Sequence, residues 1–171
     1  MFDNNEMIDS DNDLPKNNNH DAPQKEYTGV IFLTSYSHRR GPLVPTPDLS
    51  FDLRTLPNPP KNVRASQTGV HTQLREWLFA NPDVRTRFDS IYRQISERVQ
   101  EATTAGAKEL HVGVFCQMGK HRSVTFVEEL GRQRFDNWCT VINHRDLHAK
   151  RSDLGHRRGN SKQAAFFDTE S

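Results

Sequence analysis

The sequence has few cysteines and no long apolar run, and these absences exclude several classes of protein. Only two of its 171 residues are cysteine, Cys116 and Cys139. That is too few for the disulfide framework that stabilises small secreted domains. No apolar run approaches the length of a signal-peptide core or a membrane span. We therefore expect a cytoplasmic protein with reduced thiols and no membrane association.

Apolar residues are also scarce, at 33% of the chain, which is low for a chain that packs throughout its length. Residues 1–26 contain seven acidic side chains against two lysines, so we predict a disordered acidic tail there. The whole chain has a formal net charge of +1, so the remaining 145 residues carry a net charge of +6. This excess of positive charge favours a polyanionic partner.

Apolar periodicity predicts alternating strands and helices along the middle of the chain. Strand patterns occupy residues 28–34, 50–54, 110–116 and 138–142, and helical spacing occupies residues 69–81, 84–99 and 124–130. Pro57 and the prolines after it limit the second strand to a short, peripheral one. We predict a single three-layer α/β domain over residues 27–152, with a mainly parallel sheet of about four strands, followed by a basic, flexible tail over residues 153–171.

One segment combines a strand end, a glycine turn and three basic residues before a helix. It is Cys116-Gln117-Met118-Gly119-Lys120-His121-Arg122-Ser123. Unpaired backbone N–H groups and the helix dipole favour an anion at such a turn. Arg122 offers a planar fork of donors, Lys120 and His121 add charge, and Ser123 can cap the helix. We predict that this loop binds a phosphate-bearing partner; the alternative is a set of solvated residues at a helix start.

The same loop also fits the pattern Cys-x-x-Gly-x-x-Arg-Ser, which resembles the signature of cysteine-dependent phosphatases. In such an enzyme Cys116 would be the nucleophile, Arg122 would hold the phosphoryl oxygens, and Asp83 would be the nearest candidate acid. Three features depart from that pattern: Phe115 replaces a usual His, Met118 is bulky, and no Trp-Pro-Asp segment occurs. The alternative for Cys116 is a buried, unreactive thiol at a strand end.

Basic residues near the predicted strand ends indicate an RNA-binding surface, with counterion release as the main source of affinity. The candidates are Arg39, Arg40, His144, Arg145, Lys150 and Arg151. Tyr36 is the only evident aromatic residue for base stacking, so we expect contacts to the RNA backbone. The alternative is that the basic tail is solvated and binds nothing. A third hypothesis is that the acidic tail binds a protein partner.

We expect no metal site and no cofactor, since the histidines lack partners at ligand spacing.

Four segments together resemble the carboxyl-terminal domain of the RapZ family. They are Phe51-Asp52-Leu53-Arg54-Thr55-Leu56-Pro57-Asn58-Pro59, Gln67-Thr68-Gly69, Cys116 to Ser123, and His144-Arg145-Asp146-Leu147. The likeness extends from about Thr28 to Arg151, and the first segment is the most specific. Gln117 and Met118 replace the small Thr and Gly usual in the family's loop, and Arg40 replaces a His.

The resemblance implies a regulatory domain, similar to a subdomain of phosphofructokinase, that binds small RNA and senses a phosphorylated amino sugar. By matching motif, Cys116 to Ser123 would hold the phosphate, with Gly119, His121 and Arg122 as the retained central residues. Members of the family also carry a P-loop kinase-like domain. The sequence has no Gly-x-x-x-x-Gly-Lys-Ser/Thr segment, so NTP hydrolysis by this chain is not expected.

Overall fold

The computed structural model describes residues 26–150. Its elements are, in chain order, β1 (Gly29–Ser37), a 3₁₀ turn (His38–Arg40), β2 (Leu49–Asp52), α1 (Lys61–Arg64), α2 (Thr72–Phe79), α3 (Pro82–Thr104), β3 (Glu109–Cys116), α4 (Arg122–Gly131) and β4 (Trp138–His144). The predicted strands and helices are all present, while α1 and the 3₁₀ turn had no apolar pattern to reveal them. The predicted acidic tail, apart from Glu26, and the predicted basic tail lie outside the described residues.

The four strands form one parallel sheet in the order β2-β3-β1-β4. The predicted α/β fold with a parallel sheet is therefore confirmed, and β2 is an edge strand. Ser37 at the end of β1 pairs with Cys116 at the end of β3, and Ser35 pairs with His144 at the end of β4. Since all strands run the same way, their last residues meet along one border of the sheet, which we call the carboxyl edge.

One face of the sheet forms the core with the helices. Alternate residues of β1 and β3 are fully or almost fully buried there, among them Ile31, Leu33 and Val112. α3 contributes a stripe of buried residues at helical spacing, namely Val84, Phe88, Ile91, Ile95 and Val99. Phe126 of α4 lies at the centre and contacts the rings of Phe79 and Phe88. This packing fixes α4, and hence the loop that precedes it, on the sheet.

The opposite face of the sheet is crossed by the connection between β1 and β2. At Gly113 of β3 a Cβ atom would lie 3.1 Å from Pro47 and 3.2 Å from Leu43, so this connection passes directly over the strand. Because side chains alternate along a strand, Cys116 faces the helices while its neighbour Phe115 faces this second side. None of the helices within residues 26–150 is long and apolar enough to cross a membrane.

Candidate functional site

The segment from Cys116 to Ser123 connects β3 to α4 and passes over the end of β1. Gly119 has a φ of 66°, and a Cβ atom there would lie 2.7 Å from the backbone nitrogen of Ser37. A side chain is therefore excluded at this position by both conformation and space. The Ser37 hydroxyl donates to the carbonyl of Gln117 at 3.1 Å, which holds the loop against β1. The predicted strand, loop and helix arrangement is confirmed.

The Cys116 thiol lies inside this loop, 2% exposed, with its Sγ atom 3.2 Å from the Ser123 hydroxyl. Burial raises the pKa of the thiol. Hydrogen bonds from the Ser123 side chain and from the Ser123 and Gly119 backbone, together with the Arg122 charge, lower the pKa by a larger amount. The net result is a lowered pKa for Cys116. His121 occupies the N-cap position of α4, and the hydroxyl of Ser123 lies beside the thiol.

Arg122 is 6% exposed and connects the loop to the segment that follows β2. Its Nη1 atom donates to the carbonyl oxygens of Arg54 at 2.9 Å and Leu56 at 2.7 Å. Its Nε atom is buried and has no hydrogen-bond partner among residues 26–150. Part of the guanidinium group is thus used to hold the chain in place, and the remaining donors are not all satisfied by the protein.

The Gln67-Thr68-Gly69 segment packs tightly against the start of α4. The Gly69 N–H donates to the carbonyl of Lys120 at 2.8 Å, and the Thr125 hydroxyl donates to the carbonyl of Gly69 at 3.2 Å. A Cβ atom at Gly69 would lie 2.4 Å from the carbonyl oxygen of His121. Only glycine permits this approach, which brings the region around α1 next to the predicted anion loop.

A cavity of about 600 Å³ lies between these two regions, with walls formed by residues of the 61–68 segment and by Lys120 and His121. Its basic side chains are Lys61, Arg64, Lys120 and His121, and none of its lining residues within 26–150 is acidic. The Oε1 atom of Gln67, another lining residue, is buried without a hydrogen-bond partner in the described part of the chain. Burial lowers the pKa of His121, a decrease that backbone contacts with Arg64 and Gln67 only partly oppose. Lys61 and Arg64 were not among the predicted site residues.

The predicted RNA-binding residues gather at the carboxyl edge, with the exception of Arg151, which lies outside the described residues. Arg39 and Arg40 form the turn after β1, and the Lys150 carbonyl accepts from Nη2 of Arg40 at 2.6 Å. His144 is enclosed: its Nδ1 atom lies 2.7 Å from the Ser35 hydroxyl and its Nε2 atom lies 2.9 Å from Glu128. Both ring nitrogens of His144 are therefore occupied within the protein.

Arg145 is also committed to contacts inside the domain. Its Nη1 and Nη2 atoms donate to the carbonyls of Pro42 and Gly41 at 2.8 and 2.9 Å, and its Nε and Nη2 atoms donate to the Asp146 carboxylate. The guanidinium group also lies 5.2 Å from the centre of the Tyr36 ring. Arg145 thus holds the connection after β1 against β4, which leaves few of its donors for a ligand.

Asp83, the candidate acid, lies in the first turn of α3, where its backbone N–H donates to Asn81 at 2.8 Å. Within residues 26–150, no hydrogen bond or ion pair connects its carboxylate to Cys116 or Arg122. Similarly, the described residues include no group of three His, Cys, Asp or Glu side chains arranged to hold a metal ion.

Comparison with known sequences decides the family. The sequence model of the RapZ C-terminal domain matches residues 30–148, which is most of the chain.

The chain belongs to the RapZ C-terminal domain family.

Individual relatives agree with this assignment. A protein named "Nucleotide-binding protein" from Fervidobacterium nodosum is 35% identical over 127 residues, which cover 72% of this chain and 44% of that protein. A protein of the same name from Pseudomonas putida is 33% identical over 122 residues, covering 70% of this chain and 43% of that protein. The chain therefore spans less than half the length of these relatives.

The four segments that carry the RapZ likeness lie near one another in this RapZ-type domain. Three of them are linked by direct contacts, and the fourth, from His144 to Leu147, joins them through Ser37 at the end of β1. Arg122 of the loop contacts the segment after β2, Lys120 contacts Gly69, and Asp146 accepts from the Ser37 N–H at 2.7 Å. Segments far apart in the sequence thus come together at one candidate site. Sequence patterns did not indicate Lys61 and Arg64, because α1 has only four residues and only a partly buried Val63 to mark it.

Proposed function

We propose that this regulatory RapZ-type domain binds a phosphate-bearing small molecule, of the class of a phosphorylated sugar, at the Cys116–Ser123 loop and the adjoining cavity. The observation that carries the proposal is the charge of that cavity: three cationic side chains, Lys61, Arg64 and Lys120, line it together with His121, and no carboxylate from residues 26–150 does. Such a concentration of positive charge is unfavourable unless an anion compensates it. The start of α4 contributes its unpaired N–H groups to the same region.

Two buried polar atoms support a ligand with hydrogen-bonding groups as well as charge. Gln67 Oε1 accepts from a donor, and the hydroxyl groups of a sugar are donors. Arg122 Nε donates, and a phosphate oxygen accepts. A buried polar atom without a partner costs about 1–3 kcal/mol, so a ligand that satisfies either atom gains affinity. We assign Arg122 the additional role of positioning the segment after β2.

Calorimetric titration with glucose 6-phosphate and with inorganic phosphate tests the proposal. Lys120→Gln and Arg64→Gln should each weaken binding about tenfold, the effect of removing one charge-assisted hydrogen bond. The control is Lys108→Gln, which removes an equal charge near the start of β3, at the opposite end of the strands from the cavity. Equal affinities in the wild type and both cavity variants would contradict the proposal.

RNA is a second candidate ligand, supported by Arg39. Its side chain is exposed, and within the described chain its guanidinium contacts only the Met118 sulfur atom, at 4.0 Å. A sulfur atom is a weak acceptor, so most of the donors of Arg39 remain available to phosphates. Fluorescence anisotropy of a structured RNA at two salt concentrations tests this. Arg39→Gln should reduce the magnitude of the slope of log affinity against log salt by about one, because one phosphate contact is lost. An unchanged slope would exclude Arg39 from RNA binding.

A cysteine-dependent phosphatase is a further candidate because the pKa of Cys116 is lowered, as a nucleophilic thiol requires. The carbonyl contacts of Arg122 and the absence of a bond between Asp83 and the loop oppose it. Hydrolysis of p-nitrophenyl phosphate measures the activity directly. A phosphatase loses turnover in Cys116→Ser while phosphate binding persists. Absence of turnover in the wild type would reject this candidate.

A further inference from the structure

Three planar side chains form a cluster on the second face of the sheet at its carboxyl edge. The ring of Phe115 lies between the ends of β1 and β2, with the His38 ring stacked at 5.8 Å and an interplanar angle of 22°. The Arg54 guanidinium carbon lies 5.6 Å from the centre of the same ring. We call His38, Phe115 and Arg54 the planar cluster.

We propose that the planar cluster stacks a nucleobase that carries a phosphate, in a free nucleotide or in single-stranded RNA. This goes beyond the ligand proposed above, because the cavity at Lys120 does not require a base. Flat aromatic ligands are favoured over aliphatic ones, since π faces and a guanidinium plane both stack on a base. The sequence indicated Tyr36 for base stacking, but Tyr36 is 6% exposed and its hydroxyl bonds to Ser50.

The surroundings of Arg54 hold its plane in a fixed orientation. Asp52 accepts from Nε and Nη2 of Arg54 at 3.0 and 2.8 Å, an ion pair that occupies one edge of the guanidinium group. An arginine held at its edge by a carboxylate presents its faces for stacking instead of donating to phosphate. Arg54 therefore supplies a surface, and the phosphate needs another cation.

Arg39 supplies that cation. It follows His38 directly in the chain, its side chain is exposed, and its guanidinium group has no carboxylate partner among residues 26–150. A nucleotide whose base lies on His38 and Phe115 can thus direct its phosphate towards Arg39. Duplex RNA is a poorer ligand for this arrangement, because its bases are already stacked on each other.

The test compares ligands that differ only in the base. Calorimetry with AMP and with ribose 5-phosphate gives a ratio of affinities that isolates the contribution of the base, because both ligands carry the same phosphate. We expect AMP to bind about tenfold more tightly, the effect of stacking one base on an aromatic side chain. Phe115→Leu and His38→Ala should each reduce this preference, and Phe115→Tyr, which retains the ring, should keep it.

A second arm separates the two sources of the base. Hexa-adenylate is compared with a hexamer of abasic ribose phosphates on the same variants. A preference for hexa-adenylate that is lost in Phe115→Leu, without a preference for AMP, assigns the cluster to single-stranded RNA. A preference for AMP assigns it to free nucleotides. Equal affinities with and without a base in both arms, or a preference unchanged in Phe115→Leu, would overturn the proposal. Failure of the cavity proposal is recognised separately, by weak binding of ribose 5-phosphate that Lys120→Gln does not change.

Discussion

The carboxylate of Asp146 accepts a hydrogen bond of 2.7 Å from the backbone N–H of Ser37, although 109 residues separate the two in the sequence. The same carboxylate accepts from Nε and Nη2 of Arg145 at 3.0 and 2.8 Å. Asp146 is only 5% exposed, so these bonds lie in a largely water-free environment. They join the end of β1 to the segment after β4 and so fix two of the strands that present the site.

Asp146→Asn should therefore destabilise the domain. The change removes the negative charge beside Arg145 and replaces an acceptor with an amide, at a cost of about 2 kcal/mol in the free energy of unfolding. Urea denaturation measures the loss. Asp89→Asn on the exposed side of α3 is the control, and it should change the stability by less than about 0.5 kcal/mol. Equal stability of the two variants would mean that the Asp146 contacts do not support the fold.

Arg122→Ala should also lower the free energy of unfolding, because the carbonyls of Arg54 and Leu56 would lose a buried donor. We expect a loss of about 2 kcal/mol or more. Arg122→Lys should recover only part of it, since an ammonium group lacks the planar fork. Arg64→Ala, at an exposed cavity residue, should leave stability nearly unchanged. A stable Arg122→Ala variant would show instead that the arginine serves the ligand alone.

Gly119→Ala should destabilise the domain more than Gly106→Ala. Both glycines have a positive φ, 66° and 73°, so the conformational cost of alanine is similar at the two positions. A Cβ atom at Gly106 meets nothing within 4 Å, whereas one at Gly119 meets the backbone of Tyr36 and Ser37 below 3 Å. Thermal unfolding of the two variants isolates the steric part, which we expect to be about 1–3 kcal/mol. Equal melting temperatures would show that the loop can move away from β1.

The lowered pKa of Cys116 makes stability depend on pH in a defined direction. Folding favours the thiolate, so the stabilisation is fully present above the pKa of the unfolded thiol, about 8.5, and is lost as the pH falls through the lower folded-state pKa. The advantage of the parent over Cys116→Ser in the free energy of unfolding should therefore grow as the pH rises towards about 8.5. Ser123→Ala should weaken this trend. Denaturation series in a Cys139→Ala background measure it, and a difference independent of pH would contradict a lowered pKa.

His121 should make anion binding pH-dependent in the opposite sense. Burial lowers its pKa, so the ring is neutral at pH 7 and gains a charge only below its usual range, about 6.5. Affinity for sulfate, whose own charge is constant there, should rise as the pH falls through the lowered pKa of His121. The free protein should lose stability as the pH falls from about 6.5, the pKa of the unfolded ring, to the lowered folded-state pKa, because folding disfavours the charged ring. Both trends should be reduced in His121→Gln. If the parent and His121→Gln showed the same dependence of sulfate affinity on pH, His121 would not be the group that makes binding pH-dependent.

The fold was predictable because its elements have clear apolar periods. The stripe from Val84 to Val99 on α3 and the alternation from Leu110 to Cys116 on β3 are both burial patterns, and burial dominates the choice of structure. α1 escaped prediction because it has only four residues, of which Val63 alone is apolar. The close approach of Gly69 to α4 was also not predictable, since contacts between distant segments leave no local period.

The site was predictable in outline but not in its contacts. The glycine turn and basic residues indicated the loop, yet the sequence could not show that Arg122 and Arg145 donate to backbone carbonyls. The sequence of a motif does not distinguish an arginine that binds a ligand from one that donates to the protein's own backbone. Nor could the sequence bring His38 and Arg54 to the ring of Phe115, because three different strands position these residues.

The parallel sheet also gives the described chain two ends on opposite sides of the domain. Thr28 donates to Asn137 just before β1 and β4 begin, while Lys150 contacts Arg40 beyond the point where β1 ends. Nine residues of β1 separate these borders by roughly 25 Å. Residue 26 is therefore a point of attachment away from the proposed ligand-binding surface, and residue 150 is a point of attachment beside it. A fluorophore joined directly at residue 26 is the better choice for binding assays.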